Sequence, residues 1–430
     1  MQALLIDNME VQIDGKKISS MAVEDTVQVE NTPGNQADID SVMIENIRSI
    51  ADFRTSRVIA LGKSIHGNGS IEHCAFETIK HLIREENCRL VMFEIGFELG
   101  LWLNEYVNGE VLKEDLLKRM VGYNLDFNGL IDLLNWIKAY NIRNSGKVMC
   151  LGMDMNIIFF NISGFNHLND LIKTWNLNQD SVRPFYDFCT EDKFKEAEDY
   201  FLKSNCFKNI EASKRSCILR ALELRQQQRN FNPFLLCDPN SSLIEGDRDL
   251  ILFHNVKFAV DNFLRGQEKA VIFAHLGHIN KLNIFGGRLY IPSLGNYLSK
   301  CYNNRYFSIA LLAGEDGTYS NTDPQGNFSS ALPLVPPIKG SIENLFMALN
   351  DPFIYKKTSG LEATLCGRDI GMFYTMDQFY PYCMKSRVDA VMFLKQAKGY
   401  ELPSNWPKTL KEMEHYIDEL RIMNGHKKFF

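Results

Sequence analysis

The sequence lacks the features that would place it in a membrane, on nucleic acid or on a secretory route. No stretch approaches the roughly 18 uninterrupted apolar residues that a membrane-spanning helix needs. The N-terminal residues carry neither a positively charged segment nor a long apolar one, so no secretory signal is expected. No basic block and no acidic tail occurs, and the net charge is -6 over 430 residues. We therefore expect a cytoplasmic protein whose partners include neither nucleic acid nor a membrane.

The sequence also lacks a paired-cysteine motif. It contains ten cysteines, but none of them forms C-x-x-C. Most lie in apolar or helical stretches, where a free thiol behaves as a small hydrophobic side chain. This distribution predicts a reducing compartment and argues against a zinc site built from cysteine pairs.

Two common catalytic motifs are absent. There is no G-x-S-x-G, which disfavours the α/β-hydrolase mechanism, and the G-K-S at residues 62–64 lacks the upstream glycine of a phosphate-binding loop. The chemistry that remains is water activated by a histidine or carboxylate, or water bound to a metal. The H-x-x-H spacing of His275 and His278 is not the H-E-x-x-H of zinc peptidases, so no metal is indicated and no cofactor is predicted.

What the sequence does contain is an alternation of apolar strands and helices. Strands are predicted, mostly with helical segments between them, over residues 57–62, 89–93, 147–152, 270–274, 306–312, 369–375 and 389–394. This alternation is typical of a parallel sheet with crossover helices. The predicted fold class is therefore α/β, with a mostly parallel central sheet flanked by helices and a lid-like helical insertion.

The same patterns divide the chain into five predicted segments. They are an N-terminal arm and helix over 1–50, the first half of the α/β core over 51–164, a helical insertion over 165–245, the second half of the core over 246–400, and a C-terminal helix over 401–430. Within the insertion, helical periodicity covers residues 190–203 and 212–228. These helices either gate the site or form a second helical layer without a gating role.

Polar functional groups stand where the predicted strands end. They are His66, Glu94, Asp154, His275 and His278. Ligands of open α/β sheets bind at the carboxyl ends of the strands. Imidazoles placed there can act as general bases, donate to a developing oxyanion or bind a metal. The structural alternative is that His275 caps the strand end and His278 packs against the next helix.

Several short motifs follow one another along residues 57–394. They are G-x-x-x-H-G, F-E at the end of the next strand, L-G-M-D, R-D-x-x-x-x-x-N, F-A-H-L-G-H-I, P-P-I-K-G-S-I-E and R-D-I-G-M-F-Y. In this order they resemble the erythromycin esterase family, which includes proteins of succinoglycan biosynthesis. The resemblance implies an α/β core with a helical insertion and the hydrolysis of a lactone ester. It also implies that His66 activates water, that Glu94 orients the water or the substrate, and that His275 and His278 position and polarise the carbonyl.

The chain departs from the family pattern at three positions. Lys63 stands where the family has an acid three residues before the first histidine. The arginine of the following helix is replaced by Ala75 or Glu77, depending on the alignment, and His254 replaces a glutamate. Such exchanges of charge can move the pKa of a neighbouring histidine by about a unit, and a cation at Lys63 would disfavour the protonated form of His66.

The expected function is that of a hydrolase-like enzyme acting on an acyl group. The reaction would be ester or lactone hydrolysis, or a diverged acyl transfer or condensation in natural-product biosynthesis, on a small molecule or peptide that carries the acyl group. Two alternatives are a non-catalytic relative that binds a small molecule or peptide, and a metal-dependent peptidase. Besides the catalytic set, the residues expected to contact substrate are Lys63, Glu98, Asp154, Arg248 and His254.

Overall fold

The computed structural model describes most of the chain in separate segments. These are residues 11–13, 16–18, 36–120, 127–155, 167–228, 242–283, 292–315, 318–322, 328–349, 351–361, 365–371, 377–400, 409, 411–412 and 415. Within them, no helix is both long and apolar enough to cross a membrane. The predicted C-terminal helix over residues 401–430 lies largely outside these segments.

The described strands are numbered in chain order. They are β1 (Val11–Ile13), β2 (Lys16–Ile18), β3 (Val58–Lys63), β4 (Cys88–Gly96), β5 (Met149–Asp154), β6 (Lys269–His275), β7 (Tyr306–Glu315), β8 (Thr318–Thr322), β9 (Phe328–Pro333), β10 (Phe353–Lys357), β11 (Leu365–Arg368), β12 (Phe379–Tyr382) and β13 (Ala390–Gln396). Of the strand predicted over residues 369–375, residues 369–371 lie outside any strand because β11 ends at Arg368, and residues 372–375 lie outside the described part of the chain.

Seven of these strands form the central sheet in the order β10-β13-β7-β3-β6-β4-β5. Parallel pairing joins β13 to β7, β7 to β3, β6 to β4 and β4 to β5, whereas β10 runs antiparallel to β13. The central strands are almost entirely buried apolar runs, as expected for a parallel sheet covered by helices on both faces. The predicted α/β fold with a mostly parallel sheet is confirmed.

The described helices are also numbered in chain order. They are α1 (Gln36–Arg48), α2 (Asp52–Thr55), α3 (Gly69–Glu85), α4 (Phe97–Asn108), α5 (Lys113–Arg119), α6 (Phe127–Arg143), α7 (His167–Lys173), α8 (Gln179–Thr190), α9 (Phe194–Lys203), α10 (Ala212–Gln228), α11 (Ser242–Phe263), α12 (Leu276–Ile279), α13 (Leu294–Tyr302), α14 (Ile342–Met347) and α15 (Met384–Arg387). The helix predicted over residues 212–228 coincides with α10.

The chain divides into two compact units, and the first comprises residues 1–86, 124–129 and 274–404. It contains β3, β7, β10 and β13, together with α3. All six residues of β3 are buried. α3 begins after Asn68, whose side chain accepts a hydrogen bond from the Ile71 N–H at 3.0 Å. This cap satisfies an amide that would otherwise have no partner within the helix, and it fixes where the loop after β3 ends.

The second unit comprises residues 87–123, 130–273 and 405–430. It contains β4, β5 and most of β6, with α4 packed on β5 and helices α7 to α10 following in the chain. Two ion pairs hold α10 to α4. Arg225 on α10 binds Glu98, and Lys214 at the start of α10 lies 2.6 Å from Glu105.

Candidate active site

The loop after β3 places His66 in a buried position. The His66 N–H donates to the Ile370 carbonyl at 2.9 Å, and the Ile370 N–H donates to the Ser64 carbonyl at 2.9 Å. Gly67 then adopts a left-handed conformation with φ 75°, which is accessible to glycine without strain, and the chain turns into α3. His66 is therefore held by backbone hydrogen bonds on a loop anchored at both ends.

The end of β6 places His275 as the cap of α12. Its Nδ1 accepts a hydrogen bond from the Gly277 N–H at 3.3 Å. His278 follows on α12 and is buried. His275 thus caps the helix that follows the strand, where the structural alternative had it cap the strand end, and its ring makes further contacts that a cap alone does not require.

The structure brings His66 and His275 together. Their rings stack with a centroid separation of 4.6 Å and an angle of 3° between the planes. His275 Nε2 lies 3.0 Å from Asp369 Oδ1. Asp369 was not among the predicted site residues, although it follows the arginine of the R-D-I-G motif; it lay at the start of a predicted strand.

Lys63 is buried beside Glu72, which was not among the predicted site residues. Its Nζ lies 3.6 Å from Glu72 Oε1, and both side chains are almost completely excluded from solvent. Of the two positions considered for the family arginine, Ala75 is buried in the core and Glu77 lies 2.6 Å from Lys80. The cation at position 63 therefore has an acid close to it, one turn into α3.

In the second unit, Arg248 joins two of the predicted strand-end carboxylates. Its Nε donates to both oxygens of Asp154 at 3.1 and 3.2 Å, and one terminal nitrogen donates to Glu94 Oε1 at 3.1 Å. Burial alone would lower the pKa of Arg248, but Asp154 and Glu94 outweigh it and raise the pKa well above its ordinary value. These three residues form a fixed, charge-assisted cluster.

Glu98 is engaged by a second arginine. Arg225 donates to its two carboxylate oxygens at 2.5 and 2.8 Å, and the Leu168 N–H donates to Oε2 at 3.2 Å. A carboxylate with three such donors serves to hold α7 and α10 against α4. The expected contact of Glu98 with substrate stays a prediction.

His254 lies on α11 and is exposed. Its ring lies against Phe253, at 5.7 Å between centroids, and partial burial together with Arg220 lowers its pKa. The neighbouring Asn255 points inward instead, accepting from Arg220 Nε at 2.8 Å and donating to the Met153 carbonyl at 2.8 Å. The asparagine that ends the R-D-x-x-x-x-x-N motif thus ties α11 to α10 and β5.

Comparison with known proteins tests the resemblance inferred from the motifs. Residues 224–397 match the erythromycin esterase family model. The predicted resemblance to the erythromycin esterase family is confirmed. The matched range contains Arg248, His254, His275 and His278, whereas His66 precedes it. No curated protein matches this chain.

Three solved structures share the fold. A Bacillus cereus protein has a TM-score of 0.65 at 16% identity over 86% of this chain and 100% of its own. A succinoglycan biosynthesis protein has a TM-score of 0.63 at 15% identity, covering 84% and 98%. The erythromycin esterase EreC, as a histidine-to-asparagine mutant in its open conformation, has a TM-score of 0.56 at 16% identity, covering 83% and 95%. At these identities the similarity establishes the fold.

Proposed function

We propose that this chain is a hydrolase-like enzyme that acts on an acyl group, with His66 as the general base. The observation that carries the proposal is the stacked pair of His66 and His275 with Asp369 beside it, at the ends of β3 and β6. The resemblance to the erythromycin esterase family supports an ester or lactone as substrate, on a small molecule or a peptide.

The geometry suits proton transfer by one histidine of the pair. Two imidazolium ions at 4.6 Å would repel by about 4 kcal/mol at an effective dielectric constant of about 20. A neutral imidazole is what a general base requires before the reaction begins.

The proposed reaction starts with water near an edge nitrogen of His66. His66 removes a proton as the water oxygen bonds to the acyl carbon, and the carbonyl electrons move to the oxygen. His278, buried on α12, would donate to that oxyanion. When the tetrahedral intermediate collapses, the bond to the leaving alkoxide breaks and His66 returns the proton to it.

The Lys63–Glu72 pair bears on whether the site remains catalytic. A lone cation near His66 would oppose its protonation and so weaken it as a base. Glu72, at 3.6 Å from Lys63, offsets that charge. The charge of Lys63 therefore weighs less against His66 as a base than a lone cation would.

The test is turnover of a panel of simple esters and macrolide lactones by the wild type and by His66→Gln, with and without chelator. We expect His66→Gln to reduce kcat by at least about 100-fold, as is usual when a general base is lost. The matched control is His73→Gln, which alters an exposed histidine of the same unit and should leave kcat unchanged.

Unchanged turnover in His66→Gln would rule out this residue as the base. Binding of these compounds without turnover by the wild type would favour the non-catalytic alternative. Turnover only when an alcohol or amine acceptor is supplied would assign acyl transfer, and turnover lost on chelation would favour a metal-dependent reaction.

A further inference from the structure

Asp369 occupies a position that several independent contacts fix. Its backbone N–H donates to the Gln378 carbonyl at 2.9 Å. The Gln378 side chain is buried and accepts from the Val335 N–H at 2.9 Å, which ties this stretch to the segment after β9. The backbone of Asp369 is therefore held in place beside His275 by these hydrogen bonds.

The residue before Asp369 is a buried anchor. The Arg368 guanidinium is fully enclosed and donates to the carbonyls of Ala313 and Gly314 at 3.3 and 2.9 Å, and to that of Val335 at 2.5 Å. Its backbone N–H donates to Glu343 Oε1 at 2.9 Å. Because buried donors are costly to leave unsatisfied, these bonds resist displacement of Arg368 and of the residue that follows it.

The residue after Asp369 is bonded to the loop that carries His66. Ile370 exchanges backbone hydrogen bonds with Ser64 and His66, each at 2.9 Å. The acid beside His275 and the proposed base are thus carried on two segments that are joined directly. Movement of one segment would displace the other.

The hydrogen bond at Nδ1 favours one tautomer of His275, and Asp369 favours the same one. The Gly277 N–H donates to Nδ1, so Nδ1 presents a lone pair and the proton of the neutral ring resides on Nε2. Nε2 lies 3.0 Å from Asp369 Oδ1. Because Nδ1 accepts from Gly277 and Nε2 is itself buried beside Asp369, His275 is not placed to take a proton from water.

We propose that Asp369 is a positioning residue, which fixes His275 as its Nε2–H tautomer and holds that ring parallel to His66. His66 then exchanges the proton alone, and the polarisation of the carbonyl expected of both later histidines falls to His278. This inference rests on the proposed role of His66 as the base. The tautomer of His275, however, can be measured without any substrate.

The first experiment is NMR of the histidine ring nitrogens in the full chain, which contains only nine histidines. The His275 signals are assigned as those missing from His275→Gln. The wild type should show the Nε2–H tautomer, and Asp369→Leu, which removes the carboxylate while keeping a similar size, should weaken that preference. A wild type in the Nδ1–H tautomer, or an unchanged preference in Asp369→Leu, would overturn the inference even if activity falls.

The second measurement separates positioning from a structural role. Asp369→Leu should lower kcat by about 10- to 100-fold, the loss typical of residues that orient a functional histidine, with KM changed less than about threefold. Asp369→Glu should restore much of kcat, and Asp52→Asn serves as control because Asp52 pairs with Lys357 in the same unit, outside the proposed machinery.

The outcomes for the two proposals differ. A weakened tautomer preference with unchanged kcat would overturn the catalytic importance of Asp369. If His66→Gln retained full turnover while Asp369→Leu still weakened the preference, the base assignment would fail and the fixing of the His275 tautomer by Asp369 would stand.

Discussion

Lys63 and Glu72 illustrate how a single buried pair can link a change of charge to stability. Both side chains are excluded from solvent, so each charge has lost most of its hydration. Their separation of 3.6 Å gives an attraction that offsets part of that cost. A buried pair of this kind contributes little net stability, but each member depends strongly on the other.

Replacing one member of the pair should therefore be much more harmful than replacing both. We expect Lys63→Met to lower the free energy of unfolding by about 3 to 5 kcal/mol, because it leaves Glu72 buried without its cation. The double variant Lys63→Met with Glu72→Met should regain most of that loss. Urea denaturation of the two single variants and the double variant measures the coupling, and additive effects would contradict the pairing.

The individual residues of the site show how much of it the sequence can indicate. Lys63 was selected because it departs from the family pattern, and His66 and His275 because they follow apolar runs. Glu72 and Asp369 were missed, since their importance arises from contacts with residues distant in the chain. No periodicity or spacing in the sequence encodes the 3.0 Å approach of Asp369 to His275.

Between elements, the closest packing is that of α4 against β5. A Cβ added at Gly100 would lie 1.7 Å from the Gly152 nitrogen, and one added at Gly152 would lie 2.3 Å from the Gly96 carbonyl oxygen. Gly100 therefore lets the α4 backbone approach β5, and Gly152 lets β5 pass close to the end of β4. The contact of α4 with β5 positions the first turn of α4, where Glu98 holds Arg225.

The packing of α4 predicts that a glycine-to-alanine change in this helix is destabilising, whereas helix propensity alone predicts that it is stabilising. In an exposed helix, Gly→Ala is stabilising by up to about 1 kcal/mol. Gly100→Ala should instead lower the free energy of unfolding by at least about 2 kcal/mol, because backbone atoms cannot move aside as a flexible side chain can. Fluorescence of Trp102, on the same helix, would follow the urea transition.

Gly360→Ala is the matched control for this change. A Cβ at Gly360 has no atom within 4 Å, so its urea midpoint should stay within error of the wild type. Equal effects of the two substitutions would contradict the close approach of α4 and β5.

The elements themselves were largely predictable, because burial on both faces of a parallel sheet demands apolar runs that the sequence displays. β3, β4, β5, β6, β7 and β13 all lie where such runs occur. The prediction was wrong at residues 369–371, because the apolar stretch suggests a strand while β11 ends at Arg368, whose buried guanidinium donates to the Gly314 carbonyl. The antiparallel orientation of β10 relative to β13 is likewise not indicated by any local sequence pattern.

For the molecule as a whole, acid stability depends on buried groups that bind protons only when unfolded. His167, at the start of α7, is such a group. Burial, reinforced by Arg119 and Arg225, lowers its pKa from 6.5 to about 3. Below about pH 6.5 the unfolded chain therefore binds a proton at this residue that the folded chain does not, so stability falls as the pH is lowered.

This linkage predicts a pH window for destabilisation. Above about pH 6.5 His167 contributes no pH dependence. Between about pH 6.5 and pH 3 it removes about 1.4 kcal/mol per pH unit, up to about 5 kcal/mol in total. His167→Gln, which stays neutral throughout, should show a shallower loss of the free energy of unfolding across this window.

Urea unfolding at pH 7.5, 6, 5 and 4, for the wild type and His167→Gln, measures the difference directly. His415→Gln, which alters an exposed histidine, is the control and should follow the wild type. The substitution itself can lower the free energy of unfolding by the same amount at every pH. The quantity to compare is therefore the slope of the free energy of unfolding against pH, not a constant difference between the two curves. Two parallel curves would mean that His167 takes up a proton within the folded chain as readily as in the unfolded one, and the acid sensitivity would then have to come from the buried carboxylates.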